Sequence, residues 1–231
     1  MSFSSGRHPA AAVTDAINSR RSVRAFTSTP VSPDVIKRIL QTASRAPSGT
    51  NMQPWHVYVL QGAQLDRTIA AVQADFDNDV PFDAEEKYYP DRFFEPYTSR
   101  RRAVGLGLYK LLGLTKDNTA GMRAQHRRNY QFFDAPVGLI CTIDRALNTG
   151  SWLDYGMFIQ NVLLLAREAG LHTCPQAAFC GYHLALRRTL PIPQDQVVVC
   201  GISLGFADLA DPANALVTER AEPDDWVTFV Q

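Results

Sequence analysis

Residues 45–60 read RAPSGTNMQPWHVYVL, carrying the chain from the end of an expected helix into an expected strand through a loop crowded with hydrogen-bonding and backbone-bending residues. Pro47 and Pro54 fix φ and remove donors, and Gly49 is read as the residue that supplies backbone angles closed to others. Ser48, Thr50, Asn51 and Gln53 add short-range donors and acceptors. Such a loop suits a flat heterocycle with polar edges. The same composition also suits an ordinary helix-to-strand turn, because Pro, Gly, Ser and Asn dominate turns for conformational reasons alone.

Upstream lies NSRRSVRAF, residues 18–26, which sets Arg20, Arg21 and Arg24 with Ser19 and Ser22 around the end of an expected N-terminal helix, 9–19. Arginine at that position stabilises a helix C-terminus. It is also the side chain best shaped to grip phosphate through bidentate, charge-assisted hydrogen bonds. The pairing of the two segments, with one helix between them, is more specific than either alone.

The chain has 231 residues, enough for one large domain or two small ones. Lys plus Arg and Asp plus Glu are 23 each, so no net electrostatic pull toward nucleic acid or an anionic membrane is expected. The expected partners are small molecules or a second copy of the chain. The longest apolar run, residues 162–166, falls far short of the ~20 residues a membrane helix needs. MSFSSGRHPAAAV, residues 1–13, lacks the apolar centre of a signal peptide, so a soluble cytoplasmic protein is expected. Cys141, Cys174, Cys180 and Cys200 lack zinc-site spacing and read as buried free thiols, so no metal site is expected.

Further along, Ser32-Pro33-Asp34 is a helix start with N-cap Ser and N1 Pro. A strand is expected over 56–60, a helix over 64–77, and an aromatic, Asp- and Pro-rich excursion from the core over 78–96. Helices over 97–113 and 117–130 carry Arg100 to Arg102 and Arg123, Arg127 and Arg128. These are read as a solvated basic face or as a cationic rim for anionic reactants. VGLICTI, residues 137–143, and QVVVCGISLGF, residues 196–206, read as interior strands. Ser151 to Asp154 reads as a capping box opening a helix to Ala169 so apolar that it must be buried centrally or across a subunit contact. Residues 226–230 alternate like a short terminal strand.

Together INSRRSVRAF, RAPSGTNMQPWHVYVL, NYQFFDAPVGLI, GSWLDYGMFIQNVLLLAREAGLHTCPQAA and VVVCGISLGFAD, followed by Arg220, resemble the FMN-dependent nitroreductase family, and in particular its 4-nitrobenzoate-reductase-like branch. The resemblance covers residues 17–229. It implies an α+β fold with a central mixed sheet flanked by helices, forming an intertwined homodimer with FMN at the subunit interface. It implies a single domain over 1–231, a lid excursion about 78–131, and a tail about 217–231 that reaches the partner.

By the same resemblance Arg20, Arg21, Ser22 and Arg24 belong to one subunit's share of the FMN site, and Pro47, Ser48, Gly49, Thr50, Asn51 and Gln53 to the other's. Arg20, Ser22 and Arg220 suit the phosphate end; Arg24 and Asn51 suit the polar edge of the ring. The backbone around Pro175, Gln176 and Ala177 falls beside the reactive flavin nitrogen, where an amide N–H can tune hydride transfer. The implied activity is a ping-pong cycle in which NADH or NADPH reduces FMN and a nitroaromatic or quinone then reoxidises it.

No Gly-x-Gly-x-x-Gly follows a strand, which agrees with a transiently bound nucleotide. No catalytic acid or nucleophile is nominated, and His56 and His172 are read as structural. Tyr88, Phe93, Phe94, Tyr97 and Arg101 are the expected substrate residues, the arginine as a partner for a nitrobenzoate carboxylate; the aromatics serve equally well as packing for the lid.

Two rival enzymatic readings stand beside this one. Reductive dehalogenation of halotyrosines draws on Glu85, Glu86, Lys87 and Tyr88 as a zwitterion clamp, and the other rival is fragmentation of the flavin itself. A non-catalytic FMN-storing dimer is the alternative from another class.

Overall fold

A computed structural model describes residues 12–231. The helices are α1 (Val13–Ser19), α2 (Pro33–Ala43), α3 (Gly62–Asp77), α4 (Tyr97–Leu111), α5 (Thr119–Arg127), α6 (Thr149–Glu168) and α7 (His183–Thr189). The strands are β1 (His56–Leu60), β2 (Val137–Asp144), β3 (His172–Gln176) and β4 (Gln196–Gly205), in sheet order β1-β2-β4-β3. The class is α+β, a central sheet flanked by helices. The four strands pair antiparallel rather than as the mixed sheet expected, and among the described residues parallel pairing is confined to an isolated bridge between Ser22 and Thr173. The start of the expected N-terminal helix, 9–11, lies outside the described residues.

β2 and β4 form the middle of the sheet and are apolar on both faces, as their continuous hydrophobic runs dictate. One face is covered by α2 and α6 through Ile36, Ile39, Phe158, Val162 and Ala166. The other carries an aromatic layer in which Phe132 stacks on Phe179 with ring centroids 4.4 Å apart. That stack needs bare backbone beneath it. A Cβ at Gly201 would lie 2.3 Å from the Phe179 ring, and one at Gly138 would lie 2.7 Å from Phe132.

Ser32 caps α2 as its sequence predicts, accepting the Asp34 N–H at 3.3 Å, with Pro33 in the first turn. The capping box expected at Ser151 is not used. α6 begins at Thr149 behind Asn148, so Ser151 and Asp154 lie within its first two turns, and the Asp154 side chain is freed for a distant partner. Its most apolar stripe is buried centrally within the chain, while Leu153 stays 69% exposed. Residues 226–230 form no strand; Trp226, Phe229 and Val230 project outward with 70%, 86% and 91% exposure. A strand needs a neighbouring edge to pair with, and this segment meets none among the described residues.

Candidate cofactor and substrate site

The loop after α2 is held from behind by α6. The Asp154 carboxylate accepts the Gly49 N–H at 2.9 Å, and Trp55 stacks on Phe158 at 4.8 Å with the rings 9° from parallel. The Tyr155 hydroxyl donates to the His56 carbonyl at 2.7 Å, and the Asn161 amide donates to the Ala43 carbonyl at 3.2 Å. Residues 154, 158 and 161 share one face of a helix, so a single stripe of α6 fixes both ends of the loop.

Within the loop the strained backbone falls on Thr50, Asn51 and Gln53, with φ of 50°, 62° and 53°. The expectation for Gly49 is thereby corrected, since its φ is not left-handed and its part is to present an N–H to Asp154. β-branched Thr50 in the left-handed region is costly and persists only where surroundings enforce it, as they do at many ligand sites. The Thr50 hydroxyl donates to the Gly49 carbonyl, the Ser48 hydroxyl accepts the Gln53 N–H, and the Gln53 amide donates to the Asn51 carbonyl. The exposed Asn51 amide has no side-chain partner among the described residues.

The arginine segment runs beside β3. Ser22 bridges Thr173, and the Val23 N–H reaches the Thr173 carbonyl at 3.0 Å. Arg20 and Arg24 flank Cys174 with Ser22, and Arg220 comes close enough to act on Arg20. Burial first, then the neighbouring Arg220, holds Arg20 below the usual guanidinium range, with Cys174 pulling the other way. Arg21 faces the buried Arg167 at the far end of α6. Among the described residues no carboxylate pairs with Arg20, Arg21, Arg24 or Arg220, a crowding of like charge that a bound anion would relieve.

Burial drives the Cys174 thiol up to about 11, against the pull of Arg24, Ser22 and Arg20, so it is an inert structural thiol rather than a nucleophile. The other three cysteines are buried and free as well. Pro175 is exposed and Ala177 half-exposed. The Gln176 side chain turns inward, donating to the Asn129 carbonyl and accepting from Ser203, which leaves only its backbone to face a ligand. Asn214 was not foreseen. It accepts the Arg24 N–H at 2.7 Å and donates to the Ala25 and Asp208 carbonyls, locking the arginine segment in place; no local motif marks it.

Among the described residues no hydrogen bond or ion pair joins the loop to the arginines. Asp154 and Arg167, at the two attachment points, are 13 residues apart (167 − 154) on one helix, about 20 Å at 1.5 Å per residue.

A family model described as "Nitroreductase family" matches residues 17–206. The chain belongs to the nitroreductase family. It is 42% identical over 226 residues to a 4-nitrobenzoate reductase of Nocardioides sp. strain LMS-CY, covering 96% of this chain and 92% of that protein. It is 40% identical to a chloronitrobenzene nitroreductase of Comamonas testosteroni, covering 94% and 96%. Among solved structures, the FMN- and NADPH-dependent nitroreductase NfnB of Sphigopyxis sp. strain HMH superposes with a TM-score of 0.92 at 37% identity, covering 95% and 99%.

In this nitroreductase the excursion is anchored by Glu85. Its carboxylate, one-tenth exposed, pairs with Arg187 at 2.9 Å, with Arg145 at 2.5 Å and with His183 at 3.5 Å. Glu85 is therefore committed to the fold rather than free to clamp a zwitterion, and Lys87 is paired with Asp91. The expected substrate residues form two aromatic groups, Tyr88–Tyr89–Phe93 and Phe94–Tyr97, and Arg101 lies 4.5 Å over the Phe93 ring. The α5 arginines are neutralised: Arg123 by Asp79, Arg127 by Asp77, and the following Arg128 by Asp134 and Asp211. Their reading as a cationic rim is withdrawn. His56 pairs with Asp144 at the surface, as a structural role implies.

No described helix is long and apolar enough to cross a membrane, and no described group of His, Cys, Asp and Glu has the makings of a metal site.

Proposed function

We propose that this chain binds FMN at a site completed by a second copy of itself and uses NADH or NADPH to reduce nitroaromatic compounds, nitrobenzoate-like ones included, or quinones. The observation that carries this reading is the group of Arg20 and Arg24 around Cys174 with Arg220 beside Arg20, crowded cations without carboxylate partners among the described residues. Arg20, Ser22 and Arg220 hold the phosphate, and Arg21 adds to the field. Arg24 and the backbone of Pro175, Gln176 and Ala177 border the ring. The partner's loop, Pro47 to Asn51 with Gln53, supplies the remaining polar contacts. When bound, FMN supplies the ring that accepts and returns the hydride.

Two features support the shared site. The loop and the arginines attach toward opposite ends of α6, so a two-fold pair with its α6 helices antiparallel aligns each half with the other's complement. Val13, Ile17, Met52 and Leu153, from α1, the loop and α6, are at least half exposed, a concentration of apolar surface that a partner would cover. The outward-pointing tail from about 217 fits the role of an arm reaching that partner, and 78–131 that of a lid over the same domain.

No side chain here needs to act as acid or nucleophile. The protein's work is to orient the rings at about 3–3.5 Å and to neutralise phosphate, with water supplying protons. The engagement of Glu85 disfavours the dehalogenase alternative, and the nitroaromatic reductase names of its relatives favour turnover over mere storage. The test combines sedimentation velocity with stopped-flow bleaching of FMN-loaded protein by NADPH and NADH. A monomer that holds FMN fully, or a yellow dimer that neither nucleotide bleaches, overturns the reading.

A further inference from the structure

Two arginines of the lid region sit over aromatic rings in the same way and differ in one respect. Arg123 lies 4.3 Å above Phe76, and its in-plane N–H groups are spent on the Asp79 carboxylate at 2.9 Å and the Phe76 carbonyl at 2.8 Å. Arg101 lies 4.5 Å above Phe93, and no carboxylate among the described residues meets it. Stacking occupies the face of a guanidinium and leaves the in-plane fork to bind an oxyanion. The acids nearest in sequence are otherwise engaged: Asp91 with Lys87, and Glu95 with the Ser99 N–H.

Arg100 and Arg102 flank Arg101 and are exposed. Consecutive helical residues fan around the axis, so the three cannot close on one atom. Arg101 is the one whose orientation is set, and its neighbours raise the local positive potential, which favours a dianion over a carboxylate.

The placement of α4 supports such a role. Gly107 packs so tightly on Leu216 that a Cβ there would lie 3.1 Å from the leucine methyl. Leu216 follows Asn214, which holds the Arg24 N–H, and precedes Arg220. Arg101 is six residues up the helix from that contact (107 − 101), about 9 Å, on the side where the aromatic excursion enters.

We propose that Arg101, stacked on Phe93, recognises the 2′-phosphate of NADPH and so favours NADPH over NADH as this chain's electron donor. The inference rests on the FMN-dependent reading above.

Its test is the ratio of second-order rate constants for flavin bleaching by NADPH and by NADH, measured on FMN-loaded protein and on R101A and R101K, each first checked for bound flavin and melting temperature. The expected result is a ratio that falls at least about tenfold in R101A, the loss of one charge-assisted hydrogen bond, with part of it restored in R101K. An unchanged ratio overturns the proposal. A ratio unchanged for the nucleotides but lowered for 4-nitrobenzoate against nitrobenzene, in steady-state turnover, assigns Arg101 to the acceptor's carboxylate and overturns the phosphate assignment. Absence of bleaching by either nucleotide in the unsubstituted protein is instead a failure of the underlying function.

Discussion

The Asp154 carboxylate accepts the Gly49 N–H at 2.9 Å across 105 residues of sequence, tying the loop after α2 to the helix that also carries Trp55's stacking partner, Phe158. The loop holds three non-glycine residues at positive φ, so something outside it must keep it in shape. Asp154 is the only charged group among the described residues seen to bond its backbone.

Asp154→Ala should therefore cost about 1–3 kcal/mol of stability, the worth of a charge-assisted hydrogen bond to a part-buried amide. It should also weaken FMN binding, as the strained segment relaxes. Gly49→Ala should be mild, about 0.5 kcal/mol or less, because φ is not left-handed there and the new methyl would meet Asp154 at an ordinary 3.7 Å. Urea titrations of the two variants check the order; a larger loss in Gly49→Ala would contradict it.

Arg20 and Arg220 are held together without a carboxylate, so their cost to the folded chain and their value to a ligand should have opposite signs. Arg20→Ala and Arg220→Ala are each expected to weaken FMN binding about tenfold or more. Neither should lower the melting temperature of the flavin-free protein, because each removes repulsion from its neighbour. Calorimetry with and without FMN separates the two effects. A flavin-free protein destabilised by both substitutions would show that the arginines are structural.

Glu85 should govern the acid sensitivity of the excursion over 78–96. Burial pushes its carboxyl up, but Arg145, His183 and Arg187 outweigh burial and hold it below its ordinary value of 4.5. A depressed carboxylate contributes stability that is present above 4.5 and is lost as pH falls below that value through the folded pKa. Glu85→Gln should cost about 3 kcal/mol at neutral pH, since Arg187 is left buried without its acid. It should also flatten the loss of stability below pH 4.5 relative to the unsubstituted chain. Parallel pH profiles for the two proteins would sink this account.

Gly201→Ala should be the most damaging small substitution. The added methyl falls 2.3 Å from the Phe179 ring, which is fully buried and stacked on Phe132, so neither neighbour can yield cheaply. A loss of about 2–3 kcal/mol is expected from overpacking. A denaturation midpoint equal to that of the unsubstituted protein would mean that the aromatic layer moves more freely than its packing implies.

Short-range signals were readable in the chain itself. Ser32-Pro33-Asp34 starts a helix because its cap satisfies that helix's own N–H groups. Residues 137–143 and 196–205 form interior strands because unbroken apolar runs must be covered on both faces. The resemblance of five ordered segments carried the family. Ser151 to Asp154 misled because the same residues can cap a helix or serve a distant backbone, and only packing decides which. Residues 226–230 misled because alternation marks a strand only where an edge receives it.

The sequence by itself determined the start of α2, the strands β1, β2 and β4, which loop carries the polar groups and which segment carries the arginines, because those depend on neighbours within a turn or two. Tertiary structure alone decided which charges cancel. Among the described residues Arg123, Arg127 and Arg128 meet aspartates while Arg20, Arg24, Arg220 and Arg101 meet none, and nothing in their local sequence separates the two sets. It also decided that the loop and the start of the arginine segment attach to α6 at Asp154 and Arg167, about 20 Å apart along the helix. The reason is physical: pairing of charges and convergence of a site are set by contacts between residues far apart in sequence, which exist only once the sheet has brought its helices together.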